Sequence, residues 1–361
     1  MDYLFKLPFY ARVTIMLIGL YLALSMLYIA QSIILPLIYG TIVAIVLDPL
    51  VSFLVRKGLS RGIASLTVML LSVIIIAAVI SLISLQAGEL GTAWPNMKLK
   101  LEGLLLEVTT FLANNFNLSQ IEIDGWRTQL QDEMLSNSGN KIGITIITMG
   151  SFISAAMLTP VYTFMLLYYQ PHLIGFIHNL FGTSYNVQVN EILTKTKSLI
   201  QRYLLGLGIE FVILSVLNAA GLWLIGIDYP ILLGVLGALL NIIPYLGGII
   251  GVSIYMIVAL VTKSPLYVMY VVILYSFIQL VDNNYIVPKI VGSKVKLNAL
   301  VSFFAVIAGA ALWGLPGMFL SIPFVAIIKL ILDHIKSLEH WGTLLGDPIS
   351  TSETLPESNQ T

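Results

Sequence analysis

Only 10% of this chain is charged, so the ionisable and amide side chains that fall inside apolar runs carry most of its chemical potential. Glu210 lies about two turns inside the run Leu204–Ile227, and Asn241 sits within Ile231–Lys263. Gln279 and the cluster Asp282–Asn283–Asn284 close the run Leu266–Val281. A carboxylate at membrane depth is expensive unless it faces a partner, a cavity or an ion, so Glu210 and Asp282 are candidates for holding a proton or a monovalent cation. Asn241, Gln279 and Asn284 can offer neutral hydrogen bonds to a polar solute. Each has a structural alternative: Glu210 can snorkel at the inner interface, Asn241 and Asp282 can cap helix ends, and Gln279 can bond a neighbouring helix.

Positioning such groups requires backbone that departs from a plain helix. An unbroken helix over Ile231–Lys263 would be ~50 Å long against a hydrocarbon core of ~30 Å. Pro244, with Tyr245 and the pair Gly247–Gly248 beside it, interrupts that run, because proline lacks an N–H and clashes with the preceding turn. The backbone of Pro244 to Gly248 is therefore predicted to line a site. Leu297–Ile331 is also too long for one crossing and breaks at Gly314, Pro316 and Gly317, with Pro323 beyond. Between the two lies a compact polar loop containing Pro288, Lys289, Gly292, Lys294 and Lys296. Both long segments can cross as kinked helices, or each can enter and return on one side. The hairpin arrangement places three lysines inside and only Lys263 outside, which the positive-inside rule favours. Paired broken segments around an ordinary helix point to a midplane binding site.

Hydrophobic residues make up 58% of the sequence and mean hydropathy is +0.95, well outside soluble globular composition. The predicted fold is all-α, a polytopic membrane protein of about eight hydrophobic elements with the lipid bilayer as its main partner. A net charge of zero gives no support to nucleic acid, and the lack of cysteine excludes disulfides, thiolate metal sites and cysteine nucleophiles. His172 and His178 have no carboxylate at ligand spacing, so no metal and no cofactor is expected. No HExxH or GxSxG pattern and no phosphate-cradling loop occurs, which disfavours an intramembrane enzyme and ATP-driven transport.

In order, residues 1–85 hold three membrane helices, Val13–Ala30, Ile33–Val55 and Gly62–Leu85, with Asp48–Pro49 read as an interfacial helix terminus. Residues 86–141 form a hydrophilic, external segment with an amphipathic helix near Leu101–Leu112. Residues 142–345 form a transport core whose segment 170–203 carries a basic amphipathic helix with Lys195, Lys197 and Arg202. Residues 346–361, rich in Ser, Thr, Glu and Pro, are expected to be disordered. Basic flanks place both termini in the cytoplasm.

The stretches Asn241-Ile-Ile-Pro244-Tyr245-Leu-Gly247-Gly248, Gln279-Leu-Val-Asp282-Asn283-Asn284 running to Pro288 and Gly292, and Gly314-Leu-Pro316-Gly317-Met318 with Pro323 resemble the autoinducer-2 exporter family of bacterial membrane permeases. Leu47-Asp48-Pro49-Leu50, followed by Arg56-Lys57-Gly58 and Arg61, is similar to that family's second and third helices. The resemblance spans roughly Val13 to His340. It implies a bacterial inner-membrane location, oligomers among the members, and transport of autoinducer-2 or exchange of sodium or lithium for protons. The function expected is secondary transport: export of a small polar solute, or sodium/proton antiport. The alternative is a non-transporting scaffold or partner of cell-envelope machinery.

Overall fold

The computed structural model describes residues 8–116, 125, 138–182, 185–243, 246–292 and 297–346. The described elements are helical throughout. They are α1 (Phe9–Ile29), α2 (Gln31–Arg56), α3 (Arg61–Phe116), α4 (Ser138–Phe181) and α5 (Asn186–Ile225). Then come α6 (Pro230–Asn241), α7 (Leu246–Thr262), α8 (Pro265–Val281), two π-helical turns at Asp282–Ile286 and Pro288–Gly292, α9 (Ala299–His334) and α10 (Glu339–Leu345). Six helices among the described residues are long and apolar enough to cross a membrane. α1 buries none of its side chains within the fold, as expected of a helix whose apolar surroundings are lipid.

Both overlong segments are helical hairpins. α5 stops at Gly226, whose φ of 81° favours glycine, and Pro230 opens α6 at its first turn. α6 has 12 residues, a length of ~18 Å that falls short of a crossing. α7 then returns along it, and Gly237 and Gly251 let the two backbones approach. A Cβ on Gly251 would lie 3.6 Å from the Gly237 Cα, and one on Gly237 would collide with the Tyr255 hydroxyl. The mouth is closed by Lys263 Nζ on Asp228 Oδ1 at 2.9 Å.

The second hairpin is built from α9 alone. Its helical dihedrals fail at Trp313 and at Gly314, where φ is 63° and ψ is −141°. The two halves meet at Gly309 and Gly317, where a Cβ on either glycine would strike the other's carbonyl. Its two ends share one side: Asn298 caps α9 by accepting from Val301 N at 2.8 Å, and its amide donates to the carbonyls of Leu344 and Gly346.

The hairpins enter from opposite ends of the bundle. Gln188, at the start of α5, donates to the His334 carbonyl at 2.5 Å, so the second hairpin's ends sit beside the start of α5. The first hairpin's ends follow the finish of α5, 40 residues or ~60 Å along the helix.

Two boundaries expected from polarity are crossed by continuous helices. α3 runs on from its apolar first part through Phe116, tolerating Pro95. Met97 and Leu101 on this extension pack against Leu222, Leu233, Tyr255, Val258 and Val261, so the extension braces the first hairpin. The span 170–203 is likewise shared: its first part belongs to α4 and its last to α5, with the turn at Gly182, φ 72°. Lys197 faces a buried carboxylate there (below) instead of a lipid surface. Nothing between Asn186 and Ile225 breaks a helix, so the change in polarity does not end one. The tail from residue 347 lies outside the described residues.

Candidate functional site

The tip of the first hairpin is where the intramembrane polar residues converge. Asn241 is the last residue of α6, and its side chain does not cap that helix. Its Nδ2 donates to Asp282 Oδ2 at 3.0 Å and reaches Glu210 Oε1 at 3.4 Å. One amide thus bridges carboxylates from α5 and from the end of α8. Both acids are buried, with 7% of Glu210 and 1% of Asp282 exposed. Asp282 Oδ1 has no hydrogen-bond partner, and among the described residues no lysine, arginine or histidine forms an ion pair with either acid.

Three local features produce this geometry. Asp282 continues in helical dihedrals from α8 into a π turn; the wider turn puts Asp282 and Ile286 on the same buried side, and such turns recur at functional sites. Gly247 starts α7 directly against the Leu240 carbonyl, where a Cβ has no room. Gly248 faces α8: a Cβ there would lie 2.9 Å from Tyr275 Oη and 4.0 Å from Gln279 Oε1. Gln279 and Tyr275 therefore border the hairpin beside the carboxylates. On the far side, Tyr203 and Leu207 are packed by Ile242 of the tip, by Val287 and Ile290, and by Phe319 and Ile322 of the second hairpin. The two hairpins approach one another across this layer.

Other candidates lie elsewhere. Asn284 is exposed and donates to the Leu280 carbonyl of its own helix at 2.8 Å. Pro244 and Tyr245 lie outside the described residues. Pro288 and Gly292 bound the second π turn. Gly314 and Gly317 shape the second hairpin, Pro316 accepts from Tyr39 Oη at 3.2 Å, and Pro323 is buried in the returning half. Gly314, Pro316, Gly317 and Pro323 are thus packing positions of the second hairpin.

One buried group was underrated by sequence reasoning. Asp48 is 4% exposed. Its Oδ2 accepts from Lys197 Nζ of α5, and its Oδ1 is 3.6 Å from the Arg61 guanidinium. Arg61 also donates to the Leu167 carbonyl at 2.8 Å and to Gln170. An Asp inside an apolar run with an Arg following the next turn was the available signal, but the distant partner, Lys197, has no local signature.

Comparison with known proteins places this architecture. A family model described as AI-2E family transporter matches residues 13–337. The chain belongs to the AI-2E transporter family. It is 24% identical to the putative transport protein YhhT of Escherichia coli (strain K12), over 93% of this chain and 94% of that protein. It is 24% identical to the AI-2 transport protein TqsA of the same strain, over 93% and 96% of the two chains. A shorter match, 34% identical, joins it to the putative transport protein YrrI of Bacillus subtilis (strain 168), over 37% of each chain. Family and helices together make this AI-2E family member a multi-pass membrane transporter.

Proposed function

We propose that this transporter is a secondary carrier of the bacterial inner membrane, exporting a small polar solute or exchanging sodium for protons, with Asn241, Glu210 and Asp282 as its coupling site. The observation that carries this reading is the shared amide: Asn241 links two buried carboxylates that lack a cationic partner among the described residues. Two uncompensated charges this close and this dry are costly. A proton or a monovalent cation lodged between them relieves that cost, and the Asp282 Oδ1 without a partner is an available ligand or proton acceptor. Gln279 and Tyr275, beside the pair, supply neutral hydrogen-bonding groups for a solute. Opposed hairpins supply the moving parts: a small shift of either tip exposes the layer to one end of the bundle or the other.

The orientation follows from lysines. With the hairpins entering from opposite ends, Lys195 Nζ and His334 Nε2 meet at 3.0 Å where the start of α5 joins the end of α9, an end that this reading places in the cytoplasm. The name AI-2 transport protein given to TqsA makes autoinducer-2 a reasonable first solute to assay. Purified protein in liposomes tests the proposal: solute or cation flux should follow an imposed sodium or proton gradient and be lost in Asp282→Asn. Wild-type protein that moves neither autoinducer-2, sodium nor protons under any of these gradients overturns it.

A further inference from the structure

A second built site lies away from the carboxylate pair. Between α2, α4 and α5 is a cavity of about 380 Å³, within the ~300–1,000 Å³ of small-molecule sites. One wall is apolar, formed by Leu173, Ile174 and Ile177 of α4 with Leu193 of α5; the floor is Asp48, Lys197 and Gln170. Leu173 and Ile174 are 44% and 38% exposed, so the apolar wall opens to the surroundings of the bundle.

The floor has unmet demands of two kinds. Asp48 is 96% buried by its 4% exposure, and its Oδ1 has no hydrogen-bond partner; Arg61 at 3.6 Å is an ion-pair neighbour beyond donor distance. That oxygen calls for a hydroxyl or other donor. Lys197 gives one hydrogen bond to Asp48, and its side chain is 40% exposed, so its ammonium has donors left for an anion. Asp48, Lys197 and Arg61 together carry one net positive charge. Asp48 is ~12 Å along α2 from its basic end at Arg56 and Lys57, a distance that spans a head-group layer of ~5–8 Å and reaches the beginning of the acyl chains.

We propose that this cavity binds an anionic, hydroxyl-bearing glycerophospholipid of the phosphatidylglycerol class. Its phosphate sits on Lys197, a head-group hydroxyl donates to Asp48 Oδ1, and an acyl chain lies along Leu173, Ile174 and Ile177. A lipid held there bridges α2, α4 and α5 at the end where the second hairpin enters.

Native mass spectrometry of the full-length protein, titrated with phosphatidylglycerol or phosphatidylcholine, tests the site. Phosphatidylglycerol should bind about tenfold more tightly, the worth of one charge-assisted contact. Ile174→Trp should fill the cavity and weaken binding by at least that factor, while thermal unfolding without lipid stays near wild type. Lys197→Gln should weaken both lipids, since each carries the phosphate that Lys197 holds, whereas Asp48→Ala should erase the preference between them by removing the acceptor for the head-group hydroxyl; Ile174→Trp keeps the test alive if either variant does not fold. Equal affinity for the two lipids in the wild type, an Ile174→Trp protein that binds as before, or full competition by inorganic phosphate each overturns the proposal.

Discussion

The hairpin at α6–α7 makes a prediction that the absence of native cysteine renders clean. Asp228 and Lys263 are 35 positions apart in sequence, yet their charged atoms are 2.9 Å apart. Had α6 and α7 run on in one direction, the two residues would be separated by at least the ~30 Å of the hydrocarbon core. Replacing both by cysteine removes an ion pair whose side chains are 30% and 44% exposed, worth ~0.2–1 kcal/mol, so the protein should remain folded. A short bifunctional thiol reagent should then cross-link Asp228→Cys to Lys263→Cys in intact membranes, read as retention of one band after cleavage of the intervening chain at an engineered protease site. Each single variant should also react with a membrane-impermeant thiol reagent from the same side. Labelling from opposite sides, or no cross-link in folded protein, refutes the hairpin.

Gly314 holds a φ of 63° with open space where its Cβ would be, so Gly314→Ala tests backbone strain alone; it should cost ~1–3 kcal/mol in detergent unfolding assays. Gly309→Ala adds collision with the Gly317 carbonyl and should be worse, giving low yields of folded protein in size-exclusion profiles. Asp48→Asn leaves Lys197 and Arg61 without their shared counter-charge; because these cations are 40% and 30% exposed, the loss should be ~1–2 kcal/mol, below the ~3–5 kcal/mol of a fully buried pair. Tyr255→Phe removes a buried hydroxyl that has no hydrogen-bond partner and should be neutral or slightly stabilising in the same melts.

Helix existence and the two breaks were legible from apolar length and from proline and glycine, because these are local constraints on backbone. The convergence of Asn241, Glu210 and Asp282 was visible only as three separate anomalies in apolar runs. Their common placement depends on the hairpin folding back and on a π turn at Asp282, and neither leaves a periodic signature. Helix continuity was not legible for the same kind of reason. Polarity changes near residue 86 and near residue 203 mark where α3 and α5 change surroundings, and a change in polarity does not by itself end a helix: α3 continues even through Pro95. The Asp48–Lys197 pairing joins residues 149 positions apart, beyond the reach of any spacing rule. Gly309 was unremarkable in sequence, yet with Gly317 it sets how closely the halves of α9 pack.

The central claim is that the two carboxylates under Asn241 work as one unit. The direct test is a double-mutant cycle of gradient-driven flux in proteoliposomes for wild type, Glu210→Gln, Asp282→Asn and the double variant. If they share one proton or cation, each single change should abolish coupled flux about as fully as both together, while all four proteins keep a folded elution profile. Effects that simply multiply, or coupled flux that survives in Asp282→Asn, would contradict the account.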